Sequence, residues 1–124
     1  MDEKVAVEAL GALAQDTRLR TFRLLMECGP DGLPAGEVAR RIGTPSNTMS
    51  THLAILARAG LVRSRREGRV IHYAIELGGI RDLVGFLVEQ CCGGRPEACA
   101  PLLDAALPLA ACAGPAGCQP GDRA

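Results

Sequence analysis

The spacing of apolar residues changes at Gly60, and this change limits what the chain can fold into. Before Gly60, apolar residues recur at the three- and four-residue intervals of an amphipathic helix. After Gly60, apolar and polar residues alternate over residues 61–65 and 70–75, as they do in strands. The intervening residues 66–69 predict a hairpin turn, because Gly68 can adopt a positive φ. The pattern therefore predicts a helix followed directly by a small β-hairpin.

Helical spacing predicts four helices before the hairpin and one after it. The predicted ranges are 5–14, 17–27, 34–42, 45–59 and 79 to about 91. Asp16 is expected to cap the second helix and Thr44 the fourth, with Pro45 in the first position of the fourth. Aromatic residues are only 2% of the chain, so aliphatic side chains must fill the core, which suits packed helices. The third and fourth helices, joined by a tight turn, form a helix-turn-helix pattern.

Apolar stripes predict which side of each helix faces the interior or a partner. The expected stripes are Ala6, Leu10 and Leu13 in the first helix, Leu19, Phe22, Leu25 and Met26 in the second, Met49, Leu53 and Leu56 in the fourth, and Ile80, Leu83, Val84, Leu87 and Val88 in the last. The predicted fold class is mainly α with a small β-hairpin. A helix-turn-helix followed by a hairpin is a winged helix-turn-helix domain.

Positive charge is concentrated in the helix-turn-helix and the hairpin. The whole chain has a formal net charge of +0, with 14 basic and 14 acidic residues. Residues 36–73 nevertheless contain seven arginines against two acids. Because clustered arginines bind nucleic-acid phosphates, this region predicts double-stranded DNA as a partner.

The fourth helix carries short polar residues where a helix in the major groove meets the bases. The arginines of the hairpin can contact phosphates or the minor groove. An ordinary solvated helix face beside solvated arginines is the simpler alternative, but the two features in this order are less common by chance. The predicted DNA-binding residues are Ser46, Asn47, Ser50, Thr51, His52, Arg63, Arg65, Arg66 and Arg69.

Two stretches of the chain carry a family resemblance. Residues 10–20 (LGALAQDTRLR) and 50–62 (STHLAILARAGLV) are similar to segments of the ArsR/SmtB family of metal-sensing winged-helix repressors. The resemblance covers roughly residues 5–92. It implies a homodimer with the first and last helices in the interface, a palindromic operator, and loss of DNA affinity when a ligand binds.

Three cysteines follow the last predicted helix: Cys91, Cys92 and Cys99. Thiolates select soft, thiophilic ions, and As(III) forms three bonds that three sulfurs satisfy. A disulfide between adjacent cysteines is strained, so reversible ligation suits this pair better. The resemblance adds that some arsenic-responsive members carry a cysteine pair and a further cysteine in this region. We predict an As(III) site at these three residues; the alternative is that the pair only completes an apolar dimer interface.

The other thiols and the two histidines have different expected roles. Cys28 is expected to be structural, whereas Cys112 and Cys118 are possible extra thiols. Many family members bind arsenic through a Cys-x-Cys motif before the recognition helix, but residues 33–41 contain no cysteine. A zinc site on the last helix, which other members use, is excluded because the only histidines are His52 and His72.

The effector remains open between As(III) and related ligands, and no cofactor is expected to be required. The alternatives are antimonite (Sb(III)), methylarsenite, cadmium, lead, and thiol oxidation in which Cys99 pairs with Cys91 or Cys92. An enzyme that reduces arsenate or disulfides with vicinal thiols is disfavoured, because the chain has no Cys-x-x-Cys and no phosphate-binding glycine loop.

The composition predicts one folded domain and one flexible segment. Residues 1–92 are expected to bind DNA and dimerise, and residues 93–124, rich in Gly, Pro and Ala, to form a flexible cysteine-containing C-terminal segment. No run reaches the roughly 20 apolar residues of a membrane span, and the N-terminus lacks the features of a signal peptide. A soluble cytoplasmic protein with reduced thiols is expected.

Overall fold

The computed structural model describes residues 1–89 and the isolated positions 101 and 105. Within residues 1–89 the helices are α1 (Glu3–Leu13), α2 (Asp16–Cys28), α3 (Ala35–Ile42), α4 (Ser46–Arg58) and α5 (Leu77–Val88), and the strands are β1 (Leu33–Pro34), β2 (Val62–Glu67) and β3 (Val70–Ile75). A single 3₁₀ turn, Gly29–Asp31, joins α2 to β1. The predicted fold class, mainly helical with a small hairpin, is confirmed. The predicted domain boundary between residues 92 and 93 lies outside the described residues.

The hairpin is part of a three-stranded antiparallel sheet with the order β1-β3-β2. Leu33 lies opposite Tyr73, and Pro34 lies opposite His72. Pro34 has no backbone N–H to donate, which suits its place at the edge of the sheet. Gly32 leads into β1 with φ +69°, and a Cβ at this position would overlap the carbonyl group of Tyr73. A two-residue strand is too short to show alternation, so the sequence did not predict β1.

The core is built around α4. Met49, Leu53 and Leu56 of this helix are fully buried, as the apolar stripe predicted. Leu25 from α2 and Val38 from α3 are also fully buried in the same cluster. The side of α4 that faces away from these residues is therefore left for solvent or a ligand.

The buried face of α1 agrees only in part with the predicted one. Ala6, Ala9 and Ala12 are buried, whereas Leu10 is 42% exposed. These small side chains allow α1 to lie close to α2 and α4, a packing that a leucine at the same positions would prevent. Leu13 is partly buried against the core, whereas Val5, Val7 and Leu10 are exposed.

Two helix starts also differ from the predicted ones. Gln15, not Asp16, caps α2, and its Oε1 accepts a hydrogen bond from the backbone N–H of Arg18 at 2.8 Å. Pro45 is the cap of α4 rather than its first residue, and it has the extended backbone angles φ −56° and ψ 146°. The expected hydroxyl cap from Thr44 is therefore not formed, because the helix begins one residue later, at Ser46.

Much of the apolar stripe of α5 is exposed in the single chain. Leu83 is buried, but Val84 and Leu87 are 41% and 56% exposed. Helix α5 packs beside α1, which exposes Val5 and Val7. The sequence predicted that α5 reaches about residue 91. The observed helix ends earlier, with Val88 as its last residue and Glu89 as its cap. In residues 1–89, no helix is long and apolar enough to span a bilayer.

Candidate nucleic-acid interface

The first turns of α4 present polar side chains to solvent. Ser46, Asn47, Ser50 and Thr51 are all exposed, on the opposite side from the buried stripe of this helix. The carbonyl oxygen of Asn47 accepts a long hydrogen bond of 3.4 Å from the Thr51 hydroxyl. No acidic residue stands in the first turn, so the positive end of the helix dipole is not neutralised locally. This end of α4 can therefore approach phosphates and the edges of bases.

The remaining predicted residue of α4, His52, is half-buried and contacts α2. Its Nδ1 lies 3.4 Å from Nη1 of Arg18. No local pattern in the sequence links residues that lie 34 positions apart. Arg18 therefore contacts His52 from the neighbouring helix α2, and the sequence did not predict this contact.

The register of the hairpin separates its arginines onto two faces. Arg65 lies opposite His72, and Arg66 lies opposite Ile71, so these neighbouring arginines point to opposite sides of the sheet. Arg63 shares the face of Arg65 and makes a long contact of 3.5 Å to the carbonyl oxygen of Pro30. All four predicted arginines of the hairpin are exposed.

Acidic neighbours cancel part of the positive charge of this region. Arg65 pairs with Glu67 at 2.7 Å within β2. Within residues 1–89, Arg66 and Arg69 form no ion pair. The cations available to phosphates at the tip of the hairpin are therefore Arg66 and Arg69, a smaller set than the count along the sequence.

A second ion-pair cluster lies on α3. Hydrogen bonds from Arg40 and then Arg41 lower the pKa of Glu37 from its ordinary 4.5 to about 2. Arg41 Nε donates to Glu37 Oε2 at 2.7 Å, and Arg40 Nε donates to the other carboxylate oxygen at 3.0 Å. Glu37 is thus ionised at neutral pH, and it offsets one of the two positive charges on this helix.

The described part of the chain contains one of the six cysteines, Cys28. It lies half-buried at the end of α2, and burial raises the pKa of its thiol, with Arg41 opposing the rise and Glu27 adding to it. Among residues 1–89 and positions 101 and 105, no three His, Cys, Asp or Glu side chains are grouped to hold a metal ion. The predicted ligands Cys91, Cys92 and Cys99, and the extra thiols Cys112 and Cys118, lie outside the described residues.

Comparison with known proteins places this geometry in a family of regulators. A helix-turn-helix domain model matches residues 13–65. The regulator KmtR of Mycobacterium tuberculosis is 36% identical over 80 residues, which cover 64% of this chain and 59% of KmtR, less than two thirds of its length. The transcriptional activator HlyU of Vibrio cholerae is 30% identical over 87 residues, which cover 70% of this chain and 78% of HlyU.

Solved structures agree with this assignment. The homodimeric winged helix-turn-helix DNA-binding domain Mb0332 of Mycobacterium bovis, a possible ArsR-family transcriptional regulator, superposes with a TM-score of 0.57 at 27% identity, over 72% of this chain and 82% of that one. The antimony-specific transcriptional repressor AntR superposes with a TM-score of 0.53 at 33% identity, over 65% of this chain and 72% of AntR. This chain belongs to the ArsR family of DNA-binding, winged helix-turn-helix transcriptional regulators.

Proposed function

We propose that this chain is a repressor that binds operator DNA as a homodimer and leaves it when Cys91, Cys92 and Cys99 capture As(III). The observation that carries the DNA-binding part is the exposed polar start of α4 beside a hairpin whose tip bears two arginines without ion pairs in residues 1–89. The ligand part is supported by the three closely spaced thiols in the sequence. A place in the cytoplasm, where the thiols stay reduced, belongs to the same proposal.

In this proposal α4 enters the major groove and the hairpin grips the backbone beside it. Ser46, Asn47, Ser50 and Thr51 read base edges, because short hydroxyl and amide side chains can both donate and accept hydrogen bonds. Arg66 and Arg69 at the hairpin tip supply the main phosphate contacts, the predicted residues Arg63 and Arg65 contribute beside them, and His52 adds a contact from α4.

The dimer part of the proposal is supported by the apolar faces of α1 and α5. Val7 is 63% exposed and Leu87 is 56% exposed in a single chain, on two helices that pack beside one another. Several exposed large apolar side chains on neighbouring helices are consistent with an interaction surface. The similar domain Mb0332 is homodimeric, which supports a second copy as the partner.

Capture of As(III) is proposed to act through α5. Arsenous acid, As(OH)₃, would form three As–S bonds with three thiols, and each released hydroxide would leave as water with one thiol proton. Cys91 follows Val88, the last residue of α5, by three positions, so the site would adjoin the helix that carries Leu87. Closing the site would shift this helix in the dimer and change the spacing of the two α4 helices on DNA.

Antimonite is the second candidate effector. The similarity to AntR, an antimony-specific repressor, favours it, and Sb(III) has the same three-bond chemistry with sulfur as As(III). Methylarsenite, cadmium, lead and oxidation of the thiols are the further alternatives that the test below separates.

The test is fluorescence anisotropy on a labelled duplex selected for binding from a random-sequence library. The reduced protein is titrated with arsenite, antimonite, methylarsenite, cadmium, lead, zinc and, separately, peroxide. Arsenite is expected to weaken DNA binding by about 5- to 150-fold, which corresponds to a coupling of about 1–3 kcal/mol. If only peroxide, or only a different ion, releases the DNA, that agent replaces arsenite as the proposed effector.

Single cysteine variants then identify the ligands. Cys91→Ser, Cys92→Ser and Cys99→Ser should each abolish release by arsenite and leave DNA affinity in its absence unchanged. Cys28→Ser is the matched control. It should still release DNA when arsenite is added, because Cys28 lies at the end of α2 in the described domain. Normal release by any one of the first three variants would remove that cysteine from the site.

A further inference from the structure

We propose that Arg18 is a positioning residue for DNA binding, which holds the imidazole of His52 on α4 and joins it to the end of α1. The observation is a set of hydrogen bonds that gather three helices around one guanidinium group. The inference rests on the proposed contact of His52 with DNA, and it adds a residue that does not itself touch the duplex.

Arg18 is fixed at both its backbone and its side chain. Its N–H donates to Gln15 Oε1 at 2.8 Å, and its Nε donates to the carbonyl oxygen of Ala12 at 2.7 Å. Ala12 lies in the last turn of α1, where carbonyl groups lack partners within the helix. That turn contains no basic residue of its own, so Arg18 supplies from α2 the cation that a helix C-terminus favours.

The position of the Arg18 guanidinium determines which hydrogen bonds the ring of His52 can form. A guanidinium only donates hydrogen bonds, so Nδ1 of His52 at 3.4 Å from Nη1 of Arg18 must be the acceptor. The ring hydrogen therefore stands on Nε2, and the ring has one donor left to offer. A donor of this kind on the recognition helix is suited to a phosphate oxygen.

A second contact between the same helices supports the role of α2 in setting the position of α4. The hydroxyl of Thr21 lies 3.7 Å from Sδ of Met49. Thr21 follows Arg18 by three positions on α2, and His52 follows Met49 by three positions on α4, so the two contacts lie one helical turn apart. Both contacts therefore join the same faces of α2 and α4.

The first test measures His52 directly and requires no DNA. The chain has two histidines, so a long-range ¹H–¹⁵N spectrum at pH 8 resolves both rings. We expect His52 to carry its hydrogen on Nε2, with an Nδ1 resonance that shifts in Arg18→Gln and does not shift in Arg23→Gln. Arg23 is an exposed arginine of the same helix and is the matched control. A hydrogen on Nδ1, or equal spectra for both variants, would overturn the inference whatever the protein does with DNA.

The second test separates positioning from direct contact by the salt dependence of DNA binding. Arg18→Gln should weaken binding about 2- to 10-fold, the range for loss of one hydrogen bond, without changing the slope of log K against log salt. A residue that contacts phosphate would instead lower that slope by about 0.9. Arg18→Lys keeps the charge but reaches only one of the two acceptors. Its DNA affinity should lie between those of the wild type and Arg18→Gln.

A double-mutant cycle completes the test. If Arg18 acts through His52, then Arg18→Gln should cost little further affinity in a His52→Ala protein. An undiminished loss in that background, or a reduced salt slope, would overturn the inference and leave DNA binding itself intact. Thermal unfolding of each variant shows whether an affinity change reflects loss of the folded state. Failure of the wild-type protein to select any duplex would instead contradict the proposed function.

Discussion

The hydroxyl of Thr21 lies 3.7 Å from the sulfur of Met49, in the fully buried contact between α2 and α4. The same hydroxyl donates a hydrogen bond to the carbonyl oxygen of Thr17 at 2.8 Å. Thr21 is the one fully buried polar side chain within the described residues. A buried polar group between α2 and α4 is therefore tolerated because its own helix satisfies its hydrogen bond.

Thr21→Val should change the free energy of unfolding by less than about 1 kcal/mol. Valine keeps the shape of the side chain, and the Thr17 carbonyl keeps its hydrogen bond within the helix, so no buried group loses its only partner. Urea unfolding at a fixed protein concentration measures the change. A loss above about 2 kcal/mol would mean that the contact with the Met49 sulfur contributes more than a weak acceptor can.

Leu25→Ala should destabilise the protein by about 2–5 kcal/mol, because Leu25 is fully buried and its removal leaves a cavity in the core. Leu19→Ala is the matched control on the same helix. Leu19 is 43% exposed, so its removal should cost less than about 1 kcal/mol. Equal losses in urea unfolding would contradict the helix orientation described for α2.

Gly79→Ala should destabilise the domain by about 1–3 kcal/mol and lower its Tm. A Cβ at residue 79 would overlap the carbonyl group of Gly60, so the start of α5 would have to move away from the turn between α4 and β2. Gly36→Ala is the control, because nothing lies within 4 Å of a Cβ at that helical position. We expect the control to stabilise α3 by about 0.5–1 kcal/mol, and a loss equal to that of Gly79→Ala would refute the clash.

The ion pairs of Glu37 predict a stability difference that depends on pH. The pKa of Glu37 is lowered to about 2 in the folded protein from an ordinary value of 4.5. A carboxyl group whose pKa is lowered on folding stabilises the folded state fully above its ordinary pKa, and the contribution is lost as pH falls through the folded value. The wild type should therefore be more stable than Glu37→Gln above pH 4.5, and the difference should vanish as pH falls towards 2.

Thermal unfolding of both proteins between pH 2 and 7 checks this. The Glu37 side chain is half-buried and its arginine partners are exposed, so added salt should also reduce the difference at neutral pH. A stability difference that is constant over the whole pH range would show that the pairs with Arg40 and Arg41 do not form in solution.

Several features of the site could be predicted from local patterns. The buried stripe of Met49, Leu53 and Leu56 was visible because a helix buries every third or fourth residue, and the polar first turn of α4 followed from it. The hairpin was visible because alternation and a glycine turn are local signals. These features depend on residues within a few positions of one another.

Other features could not be read from local patterns because they join distant parts of the chain. The pairing of Leu33 with Tyr73 depends on how α2 and the sheet pack, and two residues show no periodicity. The contact of Arg18 with His52 spans 34 positions, and both residues stand in patterns typical of solvated helix faces. Leu10 looked like a core residue, but the alanine face of α1 allows closer packing and turns it outward.

The order of helices, the hairpin and the thiols after the last helix are properties of the sequence itself, because backbone hydrogen bonding and side-chain spacing act over a few residues. Which arginines of the hairpin lack an ion pair followed from the observed length of β2, which runs to Glu67 and not only to residue 65, so that Glu67 lies beside Arg65 on one face while Arg66 points to the other. The tertiary structure alone decided the contacts between elements that are far apart along the chain. It also decided that His52 is held by Arg18, because only the packing of α2 on α4 brings these two side chains together.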